Sequence, residues 1–274
     1  MNAHESKDCW LLDLDGVVWL ADEPIKGSNA AIRALQVAGF RVAFFTNNSF
    51  STRVEMLEKF KRHGIDLADE DLLSSAQAAA ALLPAGVRAT VLGGAGIVEA
   101  LVERGIEVID LDILKDSDQI DAVVVGLDRG LTFDRLTRTC RAITRGARFL
   151  ATNDDATYPT ANGVLPGGGA LVAAVEYTTR IHPVVAGKPY APSLKLVTTV
   201  LGRVSVVIGD RSETDGELAR GLGARFGMVR SGVTGAETLV VPTPDIDGPD
   251  LLFVVAEALG STPQQILSSS GLHS

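Results

Sequence analysis

The chain has 274 residues, 46% of them apolar and 22% charged, with a formal net charge of −9. This is the composition of a soluble globular protein with a large core, long enough for one big domain or two modest ones. The negative balance argues against sequence-independent nucleic-acid binding, and no apolar run reaches the roughly 18 residues of a membrane span. Two cysteines without a Cys-x-x-Cys pair offer neither a disulfide framework nor a cysteine zinc site. Residues 1–7 lack the apolar stretch of a signal peptide. A small-molecule partner in a reducing cytoplasm is the expectation.

Cys9–Leu12 reads as a buried strand that runs into Asp13-Leu14-Asp15-Gly16. Residues i and i+2 on an extended segment share a face, so Asp13 and Asp15 can address one centre. Carboxylates that close repel unless a cation or a shared proton compensates them, which points to a metal, an acid/base pair, or both. The same tetrapeptide also occurs as a plain turn or a calcium-loop fragment, so partners elsewhere in the chain decide. Ser28 is a candidate N-cap for a helix reaching residue 38, with Gly39 at its C′ position, and Arg41–Thr46 is the next strand. Strand, helix and strand at this spacing make a right-handed crossover with parallel strands. Its ligand edge lies beyond the strands' carboxyl ends, where Asp13, Asp15 and the polar run Thr46-Asn47-Asn48-Ser49 meet. Thr52 and Glu55 match a capping box for a helix ending near His63.

An Ala-rich stretch broken at Pro84-Ala85-Gly86 opens a second α/β set, and a boundary falls near residue 81. Strands are predicted at Arg88–Leu92, Glu107–Ile109, Ala122–Val125 and 148–152, and helices at 97–104, 133–145 and 169–179. A polar loop over 153–168 separates the last two, of a length that is usually functional in a compact domain. A strand at 183–186 closes on Gly187-Lys188-Pro189, and the β-branched run at 204–208 ends on Gly209-Asp210. Arg211 to Asp215 leads into a helix at 216–222. Strands at 224–229 and 238–241 and a helix at 251–259 complete the pattern. The acidic segment 110–121 reads as a solvated loop. His4, His63, His182 and His273 show no metal-ligand spacing.

Four strand ends thus carry Asp13 with Asp15, Thr46, Lys188, and Asp210 with Asp215. In that order the set resembles the haloacid dehalogenase (HAD) superfamily of phosphotransferases. More closely it resembles subfamily IIA, the nitrophenylphosphatase-like and N-acetylglucosamine-phosphatase-like enzymes. The resemblance spans nearly the whole chain, including Ala151-Thr152-Asn153 and Pro166-Gly167-Gly168-Gly169 between the second and third motifs. It implies an α/β fold: a Rossmann-like parallel-sheet core over 1–80 and 184–274, with an inserted α/β cap domain of type C2 over 81–183. It also implies Mg2+-dependent hydrolysis of a small phosphomonoester through an aspartyl-phosphate.

By that resemblance Asp13 is the nucleophile and Asp15 the acid and base. Thr46, Asn47 and Lys188 hold the phosphoryl group. The metal sits on Asp13, the Asp15 backbone carbonyl and Asp210, while Asp215 orients a water or Asp210 rather than ligating. Asn153, Asp155 and Tyr158 are candidates for contact with the leaving group. Sugar or polyol phosphates are favoured, with phosphoglycolate, pyridoxal phosphate and nucleotides as alternatives. The chemistry agrees: an anionic nucleophile approaches a phosphoryl group only where positive charge offsets the repulsion, and an aspartyl ester splits one hard displacement into two easier ones. Gly216 stands where the family commonly has an aliphatic residue, which leaves the local packing open. Cap strands with exposed edges could pair between chains, which allows a homodimer.

Rival readings fit less well. Gly93-Gly94-Ala95-Gly96 hints at a dinucleotide loop, but its glycine spacing fails at Glu99. A haloalkanoate dehalogenase has no use for the acidic pair Asp210 and Asp215, and a transport ATPase needs membrane helices. A non-catalytic binding module on the same fold would have no need of Asp13, Asp15, Lys188 and Asp210 together.

Overall fold

The computed structural model describes residues 8–160, 163–235 and 237–270, so His4 and His273 lie outside it. Its frame is two parallel sheets. The first has six strands in the order Ile246–Gly248, Arg225–Val229, Val204–Gly209, Cys9–Leu12, Arg41–Thr46 and Leu72–Ser74, every pair parallel. The second has five, in the order Val184–Val185, Arg148–Ala151, Ala122–Val125, Arg88–Leu92 and Glu107–Ile109, again all parallel. The predicted mixed α/β architecture with parallel strands is therefore observed.

Both sheets are covered on both faces, which explains why their strands read as continuous apolar runs. Along Cys9–Leu12, Trp10 and Leu12 enter one core cluster while Cys9 and Leu11 enter the opposite one. In the second sheet Val124 and Leu150 face one cluster, and Val123, Val125 and Phe149 the other. Period-two alternation thus holds along these strands with both sides buried, and slips at Val204–Gly209, where Val204 and Val206 enter opposite clusters across a register shift beside Cys9 and Trp10.

The capping box forms as predicted, with Thr52 accepting from Glu55 N–H and Glu55 from Thr52 N–H, and the helix Arg53–Arg62 ends at His63. The first helix, Ser28–Val37, begins differently. Gly27 is the N-cap in a left-handed conformation, where a Cβ would strike Leu252 at 2.7 Å. Ser28 is already helical and donates its buried hydroxyl to Val18 O at 2.9 Å, a tertiary bond that outcompetes the local cap.

Three further expectations are corrected. Residues 153–168 are not an open loop, because Thr157–Thr160 and Gly163–Pro166 pair as an antiparallel hairpin. Residues 238–241 form no strand: Leu239 is 99% and Val241 81% exposed, and the sheet edge is supplied by Ile246–Gly248 beside Arg225–Val229. Helices Ala191–Val200 and Pro263–Ser270, strand Leu72–Ser74 and the small hairpin Trp19–Leu20 with Glu23–Pro24 were not anticipated. Among the described residues no helix is long and apolar enough to cross a membrane.

Candidate active site

Chain order in the first sheet reverses at Cys9–Leu12: the chain moves outward on one side through Arg41–Thr46, then returns to the other side at Val204–Gly209. Ligand clefts of open parallel sheets form at such switch points, beyond the carboxyl ends. Here those ends deliver Asp13 and Asp15, Thr46 and Asn47, and Asp210. Asp215 follows on a single turn of π-helix, Ser212–Gly216, an irregularity common at functional sites. Lys188 arrives from the other sheet, three residues after Val184–Val185 and just before helix Ala191–Val200. All seven line one cavity of about 80 Å3, with Asn153, Asp155 and Tyr158 from the far side.

Lys188 organises the centre. It is buried, 3% exposed, and its ammonium donates to Asp13 Oδ1 at 2.6 Å, Asp215 Oδ1 at 2.6 Å and Phe45 O at 3.1 Å. An ammonium has three protons, so every donor is engaged. Burial works against its charge, but the two carboxylates outweigh burial and hold Lys188 above its ordinary pKa.

The acidic groups show the opposite strain. Burial, then the neighbouring carboxylates, raise Asp13 well above the usual range against the pull of Lys188. Burial and Asp215 push Asp210 up to about 7. Burial also raises Asp15, opposed by Lys59 and by the Trp19 indole, which donates to Asp15 Oδ1 at 3.2 Å.

One carboxylate oxygen from each of Asp13, Asp210 and Asp215 lies within 4.8 Å of the others, and one lysine does not neutralise three aspartates. The donor set fits a hard divalent cation, which favours oxygen ligands. Hydrogen bonding separates the three. Asp215 uses both oxygens, accepting from Lys188 and from Arg211 N–H at 3.2 Å. Asp210 Oδ2 accepts from Val233 N–H at 2.8 Å, but its Oδ1, like Asp13 Oδ2, has no hydrogen-bond partner among the described residues.

The backbone leaves room for Asp210 only because two glycines flank it. A Cβ at Gly232 would lie 1.9 Å and at Gly16 2.6 Å from Asp210 Oδ2, and Gly16 has φ +88°. The open question at Gly216 also has an answer: a Cβ there would press on Pro242 at 2.9 Å and Phe226 at 3.0 Å.

Thr46 Oγ1 accepts from Asn48 N–H at 2.9 Å, leaving its own proton to donate. The Asn47 amide is committed to the protein: Oδ1 accepts from Lys188 N–H at 2.9 Å, and Nδ2 donates to Asp155 Oδ2 at 3.1 Å and Lys188 O at 3.3 Å. Asn153 is tied similarly, donating to Asn47 O at 2.8 Å and accepting from Asp155 N–H at 3.2 Å. Both tie the segment before the hairpin to the first sheet, and Asp155 and Tyr158 line the cavity beside them. Sequence reasoning missed Trp19, Arg211 and the Gly232-Val233-Thr234 loop behind Asp210; Arg211 reaches Thr157 O at 3.3 Å.

Residues 10–107 match the haloacid dehalogenase-like hydrolase family, and residues 185–252 match a second HAD-hydrolase-like model. The D-glycerol 3-phosphate phosphatase of Mycobacterium tuberculosis is 35% identical over 246 residues, 88% of this chain and 67% of that protein. The chain belongs to the haloacid dehalogenase-like hydrolases. Its relatives place it in subfamily IIA, the nitrophenylphosphatase-like and N-acetylglucosamine-phosphatase-like group. The solved p-nitrophenyl phosphatase of Archaeoglobus fulgidus superposes with a TM-score of 0.83 at 28% identity, covering 92% of this chain and 99% of that one. A glycerol phosphate phosphatase of Mycobacterium tuberculosis, solved in complex with magnesium, gives 0.78 at 32% identity, covering 91% and 76%.

Proposed function

We propose that this hydrolase is a Mg2+-dependent phosphatase that cleaves small phosphomonoesters, polyol or sugar phosphates foremost, through a phosphoryl ester on Asp13. The observation that carries the reading is the Lys188 contact at 2.6 Å, which fixes Asp13 Oδ1 while Oδ2 stays open. In the first step Asp13 attacks phosphorus, the bond to the leaving oxygen breaks, and Asp15 delivers a proton to that oxygen. In the second, Asp15 takes a proton from water as the water displaces Asp13. Burial raises the Asp15 pKa, the direction an acid working near neutral pH requires.

Thr46 donates its hydroxyl to a phosphoryl oxygen, assisted by backbone N–H groups near Asn47, and Lys188 sets the field around it. Asp13, Asp210 and the Asp15 backbone carbonyl would hold Mg2+, with Asp215 orienting them; both Asp215 oxygens already being engaged supports that split. Bound there, the ion would offset the negative charge shared by phosphoryl group and nucleophile. The magnesium-bound glycerol phosphate phosphatase supports the choice of ion, and the glycerol 3-phosphate phosphatase supports a polyol ester.

Two separate sheets support a core interrupted by an inserted cap, read from the sequence as a core of 1–80 and 184–274 and a cap of 81–183; the strand Val184–Val185 pairs with Arg148–Ala151 in the cap sheet, which carries the cap past residue 183. Two buried free cysteines fit a reducing cytoplasm, and the cap's edge strands Val184–Val185 and Glu107–Ile109 are where a homodimer would pair. The function is tested by phosphate release from a panel of phosphomonoesters with and without Mg2+, for wild type and Asp13→Asn. Release that needs both Mg2+ and Asp13 is expected. Release that survives Asp13→Asn would remove the covalent route.

A further inference from the structure

Asp15 is asked to donate a proton to one oxygen of a substrate, yet a carboxyl group has two interchangeable oxygens and a broad, two-fold terminal torsion. Left alone it would present the proton from either oxygen. The structure breaks that equivalence. Trp19 is fully buried, and its indole Nε1–H donates to Asp15 Oδ1 at 3.2 Å. Asp15 Oδ2 has no hydrogen-bond partner among the described residues. An indole N–H is a donor only, and the carbonyl oxygen of a carboxylic acid accepts better than its hydroxyl oxygen.

We propose that Trp19 assigns the catalytic proton: it pins Oδ1 as the acceptor and leaves Oδ2 as the oxygen that carries the proton to the leaving group. This inference rests on the acid role of Asp15 stated above. Trp19 is a positioning residue, because it touches neither substrate nor phosphorus. In the forward step the Oδ2–H proton moves to the ester oxygen as its bond to phosphorus breaks and that bond's electron pair stays on oxygen. In the return step a water proton moves to Oδ2 as the water oxygen bonds to phosphorus.

The tether is rigid. The chain turns back so that Gly16 N–H donates to Trp19 O at 2.7 Å and Trp19 N–H to Leu14 O at 3.3 Å. The ring stands edge-on to Phe60 at 4.9 Å. On its face sits the Lys59 ammonium, 4.3 Å from the centroid, itself held by Ala21 O and by Asp22 at 3.6 Å. A cation over an indole face draws electron density from the ring, which makes the N–H a stronger donor toward Asp15.

The test compares an alkyl ester, glycerol 3-phosphate, whose leaving oxygen needs a proton, with p-nitrophenyl phosphate, whose leaving group does not. Trp19→Phe removes the N–H but also ring volume, so the decisive variant replaces Trp19 site-specifically by benzothienylalanine, a near-isostere with sulfur in place of N–H. The expected result is a loss of about tenfold or more in kcat/KM, which reports formation of the phosphoryl ester, on the alkyl ester, part of the 10²–10⁴ that general acid catalysis supplies, with kcat/KM on the aryl ester within about twofold of wild type. Wild-type kcat/KM on both esters, or an equal loss on both, would overturn the assignment. Asp15→Asn runs alongside, compared by the rate at which each ester forms the phosphoryl ester on Asp13 and not by its slow turnover. If it separates the two esters while the Trp19 isostere does not, the Trp19 inference fails and the acid reading stands; if Asp15→Asn impairs both equally, both fall.

Discussion

The two parallel sheets share an architecture and differ at their carboxyl edges. The six-stranded sheet ends its central strands in Asp13, Thr46 and Asp210; the five-stranded one ends its central strands in Gly93, Gly126 and Thr152. One edge concentrates charge, the other removes side chains. The missing side chains make room for backbone. A Cβ on Gly94 would meet Phe50 backbone at 2.5 Å, one on Gly96 the Ser51 carbonyl oxygen at 2.1 Å, and one on Gly126 the hydroxyls of Thr152 and Ser49 at 2.7 and 2.9 Å. The glycine run that resembles a dinucleotide loop is a docking face for residues 49–51, with Gly96 N–H donating to Phe50 O at 3.1 Å. Fold alone therefore does not locate chemistry; the residue types at the strand ends do.

The charged edge is most sensitive at Asp13. Asp13→Asn is expected to lower turnover by about 10³-fold or more while circular dichroism and melting stay near wild type, since the amide keeps the shape. Next comes Asp210→Asn, expected to weaken Mg2+ binding by at least the roughly 10- to 100-fold that losing a partner of a ligand costs, read by calorimetry. The same titration should depend on pH. A metal ligand must be deprotonated, and Asp210 sits at about 7 without the ion, so affinity should fall as pH drops below about 7 and level off above it.

The glycine edge predicts a different failure. Gly96→Val or Gly126→Val should destabilise the protein by about 1–3 kcal/mol through overpacking and lower kcat/KM by pushing residues 49–51, which continue the Thr46-to-Ser49 run, off the cap sheet, with the contact between Lys188 and Asp13 unaffected. The smallest effect is at Asp155→Asn. It should change KM for glycerol 3-phosphate by a few-fold, about 0.5–1.5 kcal/mol for one hydrogen bond, with kcat on p-nitrophenyl phosphate nearly unchanged.

What the sequence revealed follows the same division. The strands Cys9–Leu12, Arg41–Thr46 and Val204–Gly209 were legible because burial on both faces leaves uninterrupted apolar or β-branched runs, and the residues at their ends were legible as a set. The hairpin Thr157–Thr160 with Gly163–Pro166 was not, because Pro159, Gly163 and Pro166 read as loop punctuation. Helix Ala191–Val200 was obscured by Pro192, tolerated in its first turn, and by the β-branched run Val197 to Val200. The Trp19 contact left no trace in any pattern, since it depends on how a tight turn brings the ring back to Asp15. The Gly93 to Gly96 run was visible, but its purpose depends on a loop more than forty positions earlier.

The most direct measurement is a rapid-quench reaction of Asp15→Asn with p-nitrophenyl phosphate and Mg2+, followed by intact mass and peptide mapping. Without its base the variant should form the phosphoryl ester and hydrolyse it slowly. The account predicts a burst of nitrophenolate stoichiometric with enzyme and one added phosphoryl group on the peptide containing Asp13. Steady release without a burst, by folded and metal-loaded protein that never gains phosphoryl mass, would contradict it.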